Sequence, residues 1–80
     1  MTLADLPPGR PARIAHIGVP GAIGDRFAEL GLTEGTAIRV VRCGPFGDPV
    51  QVAVRGFLLA LRRAEAAAID VQVATGAPSG

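Results

Sequence analysis

Residues 37–55 carry the clearest pattern in the chain. The runs "AIRVVRC" (37–43) and "VQVAVR" (50–55) are short, β-branched and alternating. Between them lies "GPFGDPV" (44–50), rich in glycine, proline and aspartate. Two such runs around a turn cluster predict a β-hairpin with a long loop. Side chains alternate across a strand, so Val50, Val52 and Val54 should face a core, with Gln51, Ala53 and Arg55 outward. Ile38 and Val40 should face the same core.

Similar reasoning places a strand at "PARIAHIGV" (11–19) and a last one at "IDVQV" (69–73), with Ile69, Val71 and Val73 inward. The dipeptide Arg55–Gly56 turns the chain into a fifth strand, "FLLALR". Ile23, Phe27 and Leu30 recur at spacings of four and three, one face of a helix between the first two strands. Asp25 is expected in its first turn, and Gly31 fits its left-handed C-cap. "TLADL" suits one helical turn capped by Thr2, and "RAEAAA" a helical turn before the last strand. The expected architecture is all-β: a small five-stranded barrel, whose closure would remove exposed strand edges. Residues 1–74 form the expected single domain and 75–80 a disordered tail.

Composition narrows the function. Eighty residues bury only about 60% of the unfolded surface, so stability is marginal. A single cysteine allows no internal disulfide and suits a reducing compartment. The longest strongly apolar run, "FLLAL", is far short of the roughly 18 residues that span a bilayer. "MTLADLPPGR" lacks the basic and apolar regions of a signal peptide, and a cytoplasmic protein is expected. All eight basic residues are Arg and the net charge is +1, which argues against nucleic-acid binding.

Catalytic chemistry finds few parts. Gly18, Gly21 and Gly24 precede the helix, but neither a dinucleotide fingerprint nor a phosphate-binding lysine exists, so a tight connection is the better reading. His16 and Cys43 are the only soft ligands; Asp25 and Glu29 could add carboxylates, yet nothing brings all four together. No base and orienting acid can be assigned to any hydroxyl. No enzyme activity, no cofactor and no metal site within one copy are expected. A transition metal held between copies, and a weak homo-oligomer, would both be compatible. Arg39, Arg42, Arg55, Arg62 and Arg63 could line a groove for single-stranded nucleic acid, but two of the three Phe fall in buried-looking patterns, and such grooves need aromatic platforms.

Three pieces, "ELGLTEGT", "PFGDPV" and "ALRRAEAAAIDV", in that order and spacing over residues 3–73, resemble the FeoA family of bacterial ferrous-iron uptake. The resemblance implies an SH3-like barrel without enzymatic activity. It also implies a partner, the membrane-embedded ferrous-iron transporter FeoB with its cytosolic G-protein domain, which the small protein would bind and modulate, meeting the membrane only indirectly. Two alternatives share the barrel: the SH3-like domain of metal-dependent transcription repressors, opposed by the absence of a helix-turn-helix, and a small RNA-binding barrel. The docking surface is expected to join Glu29, Leu30, Gly31 and Leu32 with Phe46, Asp48 and Pro49. Leu32 could instead cover the barrel end. Phe46 has two homes open to it. It can fold back over the core, as a small domain short of aromatics favours, or stay exposed as an anchor on a stiffened loop. One ring face could serve each.

Overall fold

The computed structural model describes residues 1–18 and 21–73, apart from the side chains of Ala22 and Ile23. The alternating runs become strands: β1 Pro11–Ile17, β2 Ala37–Cys43, β3 Val50–Val54, β4 Phe57–Leu61 and β5 Ile69–Val73. Helix α1 spans Gly21–Glu29 and the short α2 spans Arg63–Ala67. The first strand ends two residues before Val19, which lies outside the described residues, as does the expected tail at 75–80. Because α1 begins at Gly21, Asp25 sits in its second turn rather than its first.

All pairings are antiparallel, in the order β4-β3-β2-β1-β5. Val50, Val52 and Val54 are buried with Ile38 and Val40, which the alternation required. The adjacent Val40 and Val41 break the alternation of β2, and the sheet absorbs them with a register shift between Val40 and Arg42. Val41 is left exposed as a result. Ile69 and Val71 are buried and Val73 half-buried. Val54 and Phe57 flank a two-residue turn in which Arg55 (φ 51°) and Gly56 (φ 84°) are both left-handed, the backbone that matches the twist of a hairpin.

The sheet is not hydrogen-bonded shut. Among the described residues β4 and β5 each pair with one strand only, so two edges survive where closure would have removed them. The β5 edge is covered by the N-terminus: Val71 N–H donates to Met1 O at 2.9 Å, and Thr2 bridges Asp70. This segment continues into a 3₁₀ turn, Leu3–Asp5, that drives Leu3 and Leu6 into the core. Thr2 does not cap that turn as expected; its hydroxyl donates to the Asp5 carboxylate at 3.1 Å.

Helix α1 ends in the hydrogen-bond pattern its sequence invites. Gly31, at φ 86°, donates to Ala28 O at 3.0 Å, and Leu32 N–H reaches back to Phe27 O at 2.9 Å. This pairing brings Leu32 over Phe27, and both are fully buried. Leu30 is half-buried, and Ile23 lies outside the described side chains. Phe27 is the one buried phenylalanine: Phe57 is 41% exposed and Phe46 fully so, against the expectation of two buried rings.

Candidate functional site

The loop between β2 and β3 is built to a fixed shape. Gly44–Pro45–Phe46–Gly47 is a β-turn, closed by Gly47 N–H to Gly44 O at 3.0 Å. Pro45 presets the first central position, and the second takes positive φ, the arrangement that ordinarily calls for glycine. Here it holds Phe46, at φ 59° and ψ 24°. The base is closed by Gly44 N–H to Pro49 O at 2.9 Å. A Cβ on Gly44 would stand 2.5 Å from the Asp48 carbonyl oxygen, so only glycine allows the two limbs to approach this closely.

A second tie crosses to α2. Asp48 Oδ1 accepts from Arg63 N–H at 3.0 Å, satisfying the first free donor of that helix. Glu65 Oε1 accepts from Arg62 N–H at 2.9 Å beside it. The Arg63 guanidinium also lies over Gly47, where a Cβ would meet Nη1 at 2.7 Å. Asp48 is therefore a fastener of the loop as well as an exposed acid. Asp48→Ala should cost about 0.5–2 kcal/mol, the usual worth of a helix cap. Urea denaturation checks this, and an unchanged midpoint would show that the bond carries no stability.

On this frame Phe46 is 99% exposed. The expected partial burial over the core does not occur, and neither ring face packs. The left-handed backbone carries its tip away from the sheet. The residue costs stability twice over: a non-glycine residue in that region loses roughly 1–2 kcal/mol, and the ring recovers nothing by burial. Backbone strain held in place by surrounding structure is a pointer to function.

The other expected docking residues divide. Pro49 and Asp48 are exposed on the same loop. Glu29 is exposed at the end of α1, and Leu30 and Gly31 are half-buried. Leu32, 1% exposed, belongs to the core and leaves the docking set. The segment 29–32 also lies away from Phe46. Gly31 O accepts from Arg55 Nε at 3.2 Å, which ties it to the β3–β4 turn. The Phe46 loop enters β3 at the opposite end, a strand length of about 16 Å away. The expected residues therefore do not share one patch: Glu29, Leu30 and Gly31 lie at one end of β3, and Phe46, Asp48 and Pro49 lie at the other, on the surface around the Phe46 loop.

That surface has members which alternation did not single out. Beside the loop is a shallow depression of about 430 Å³ lined by Arg42, Cys43, Gly44, Pro49, Gln51 and Ala60. Arg42 Nε donates to Gln51 Oε1 at 2.9 Å across its floor. Leu58, 57% exposed, continues the apolar surface along the outer face of β4, while Phe57, 41% exposed, stands on the other face beside Val54. The available signal was the unbroken run "FLLAL", which is too apolar for a solvated strand and does not alternate.

His16 Nδ1 lies 3.6 Å from Glu34 Oε2, both exposed. Among the described residues no cluster of three or more His, Cys, Asp or Glu forms, and Cys43 is an exposed free thiol elsewhere on the sheet. Among the described residues no helix is long and apolar enough to cross a membrane.

Comparison with known proteins supports the resemblance. The family model for the FeoA domain matches residues 1–73. A fusion of Fe(2+) transport protein A with the Fe(2+) transporter FeoB, from Porphyromonas gingivalis, is 35% identical over 83 residues, which cover 99% of this chain. The match spans only 10% of that protein's length. The solution structure of a FeoA protein from Chlorobium tepidum superimposes with a TM-score of 0.86 at 36% identity, covering all of this chain and 79% of that one. Stenotrophomonas maltophilia FeoA, crystallised with zinc and described as a prokaryotic SH3 domain protein, gives 0.79 at 36% identity over 90% and 89% of the two chains. The fold is the SH3-like barrel of these proteins.

Proposed function

The chain belongs to the FeoA family, and from that footing we propose that it is a non-catalytic cytoplasmic accessory of ferrous-iron transport that docks on a FeoB-type transporter and modulates it. The observation that carries the proposal is Phe46: a fully exposed aromatic ring in a costly backbone conformation, on a loop fastened at its base and to α2. A pre-ordered aromatic loses little entropy on binding and makes a strong anchor. The Porphyromonas gingivalis relative adds support, since it joins an A-type domain and a FeoB transporter in one polypeptide. The cytosolic G-protein domain of the transporter is the proposed docking partner.

Catalysis falls to the partner. The chain has no lysine and no phosphate-cradling loop, so GTP should neither bind with micromolar affinity nor be hydrolysed. Calorimetry with GTP checks this directly. The functional test is capture from membranes of the source cell with the tagged chain. The FeoB-type transporter should be recovered with the wild-type chain and lost with Phe46→Ala. Equal recovery by both would remove Phe46 from the docking surface.

A further inference from the structure

β4 ends the sheet with nothing paired to its outer side among the described residues. We infer that this edge is a strand-addition site for an acidic, extended segment of the docked transporter. The inference rests on the docking reading above and adds how the partner is held.

The backbone comes first. Val54 and Phe57 close a two-residue hairpin and form a hydrogen-bonded pair. Alternation along an antiparallel ladder then turns the N–H and C=O of Phe57, Leu59 and Leu61 toward β3, and those of Leu58 and Ala60 outward. Four polar backbone groups are thus presented in a row. The usual protections of an open edge are missing within the strand. The β3–β4 register runs without a bulge, and "FLLAL" contains no proline and no charge. The other edge of the sheet, β5, is covered by Met1 and Thr2.

The side chains favour a foreign strand. Leu58 stands on the outer face beside Ala53, and Ala60 beside Gln51. An added strand would lay alternate side chains against Leu58 and Ala60. Ala60 also lines the depression that reaches Gly44 and Pro49, so the strand and the Phe46 anchor share one footprint.

Charge selects the occupant. Arg55 stands before the strand and Arg62 and Arg63 after it. Asp48 and Glu65 lie beside the last two and accept from their backbone N–H groups rather than from their guanidinium groups. Among the described residues none of them is in salt-bridge contact with a carboxylate. Pairing with a second copy, centred on Leu59, would bring the arginines beyond the two ends of the strand, Arg55 and Arg63, toward those of that copy, and like charges brought together repel. An acidic segment meets the same arginines favourably.

The test is hydrogen exchange, read amide by amide on the full chain, free and bound to the purified FeoB-type transporter. In the free chain the Leu58 and Ala60 amides should exchange within about tenfold of an open peptide, and Leu59 and Leu61 far more slowly. Bound transporter should slow Leu58 and Ala60 by about a hundredfold or more. Ala60→Pro removes one outward donor and no internal ladder bond, and should weaken capture at least about tenfold while the protein stays folded. Transporter bound in a Phe46-dependent way, with exchange at Leu58 and Ala60 unchanged, would overturn strand addition and leave docking standing. Protection that rises with the chain's own concentration, without transporter, would assign the edge to a second copy. Binding insensitive to salt would remove the acidic partner. No capture of the transporter by any form would sink the docking reading itself.

Discussion

Phe27→Ala should remove a large share of the domain's stability. The ring is fully buried, at the end of the one substantial helix, and its carbonyl receives the Leu32 amide. Removing a buried Phe side chain typically costs ~3–5 kcal/mol. A chain of this size has a total stability of about 4–12 kcal/mol, so the loss takes a large share. At roughly 4–8 °C per kcal/mol, the melting temperature should fall by on the order of 20 °C. Leu32→Ala should follow the same course more mildly, because Leu32 is buried in the same core and its amide ends the same helix. Calorimetry on the purified variants decides the matter. Melting of Phe27→Ala within about 5 °C of wild type would show that α1 is held to the sheet by something else.

Phe46→Gly should do the opposite to stability and greater harm to function. Glycine adopts φ 59° without penalty, and the exposed ring gives up no burial when it is removed. The variant should melt at or above the wild-type temperature, with a gain of up to about 1 kcal/mol. Capture of the transporter should weaken at least about tenfold, the loss of an aromatic anchor worth 1.4 kcal/mol or more. A melting temperature at or above wild type together with weakened capture would show that the residue is retained for binding. A variant that melts more than about 10 °C lower would exceed the cost of glycine's freedom in the unfolded chain and mean that the ring packs in solution after all.

Much of the fold was legible because its strands alternate. Val50, Val52 and Val54 turn inward for the reason visible in "VQVAV", and Gly31 caps α1 where the apolar periodicity stops. What escaped depends on conformations and long-range geometry that a linear pattern does not carry. The two homes of Phe46 stay open in the sequence, since nothing in "GPFG" reveals that the aromatic itself takes the left-handed position usually given to glycine. Leu3 and Leu6 enter the core only because the N-terminus folds back along β5. The segment 29–32 and the Phe46 loop looked adjacent, but the length of β3 separates them, and the Arg55–Gly31 bond reveals this only in three dimensions. All five residues of β4 are apolar, so its sequence carries no alternation to tell an edge from the centre; at the edge of an open sheet, such a run leaves Phe57 and Leu58 in solvent. Asp48 was chosen for its place on an exposed loop, and the structure adds its bond to α2.

The central claim is that the Phe46 loop is the anchor by which this FeoA-family chain holds a FeoB-type transporter. The most direct measurement is the affinity of wild-type and Phe46→Gly chains for the purified transporter, taken alongside the melting temperature of each. The account expects binding by the wild type, at least about tenfold weaker binding by the variant, and a variant that melts no lower. Equal affinity of the two chains would contradict it.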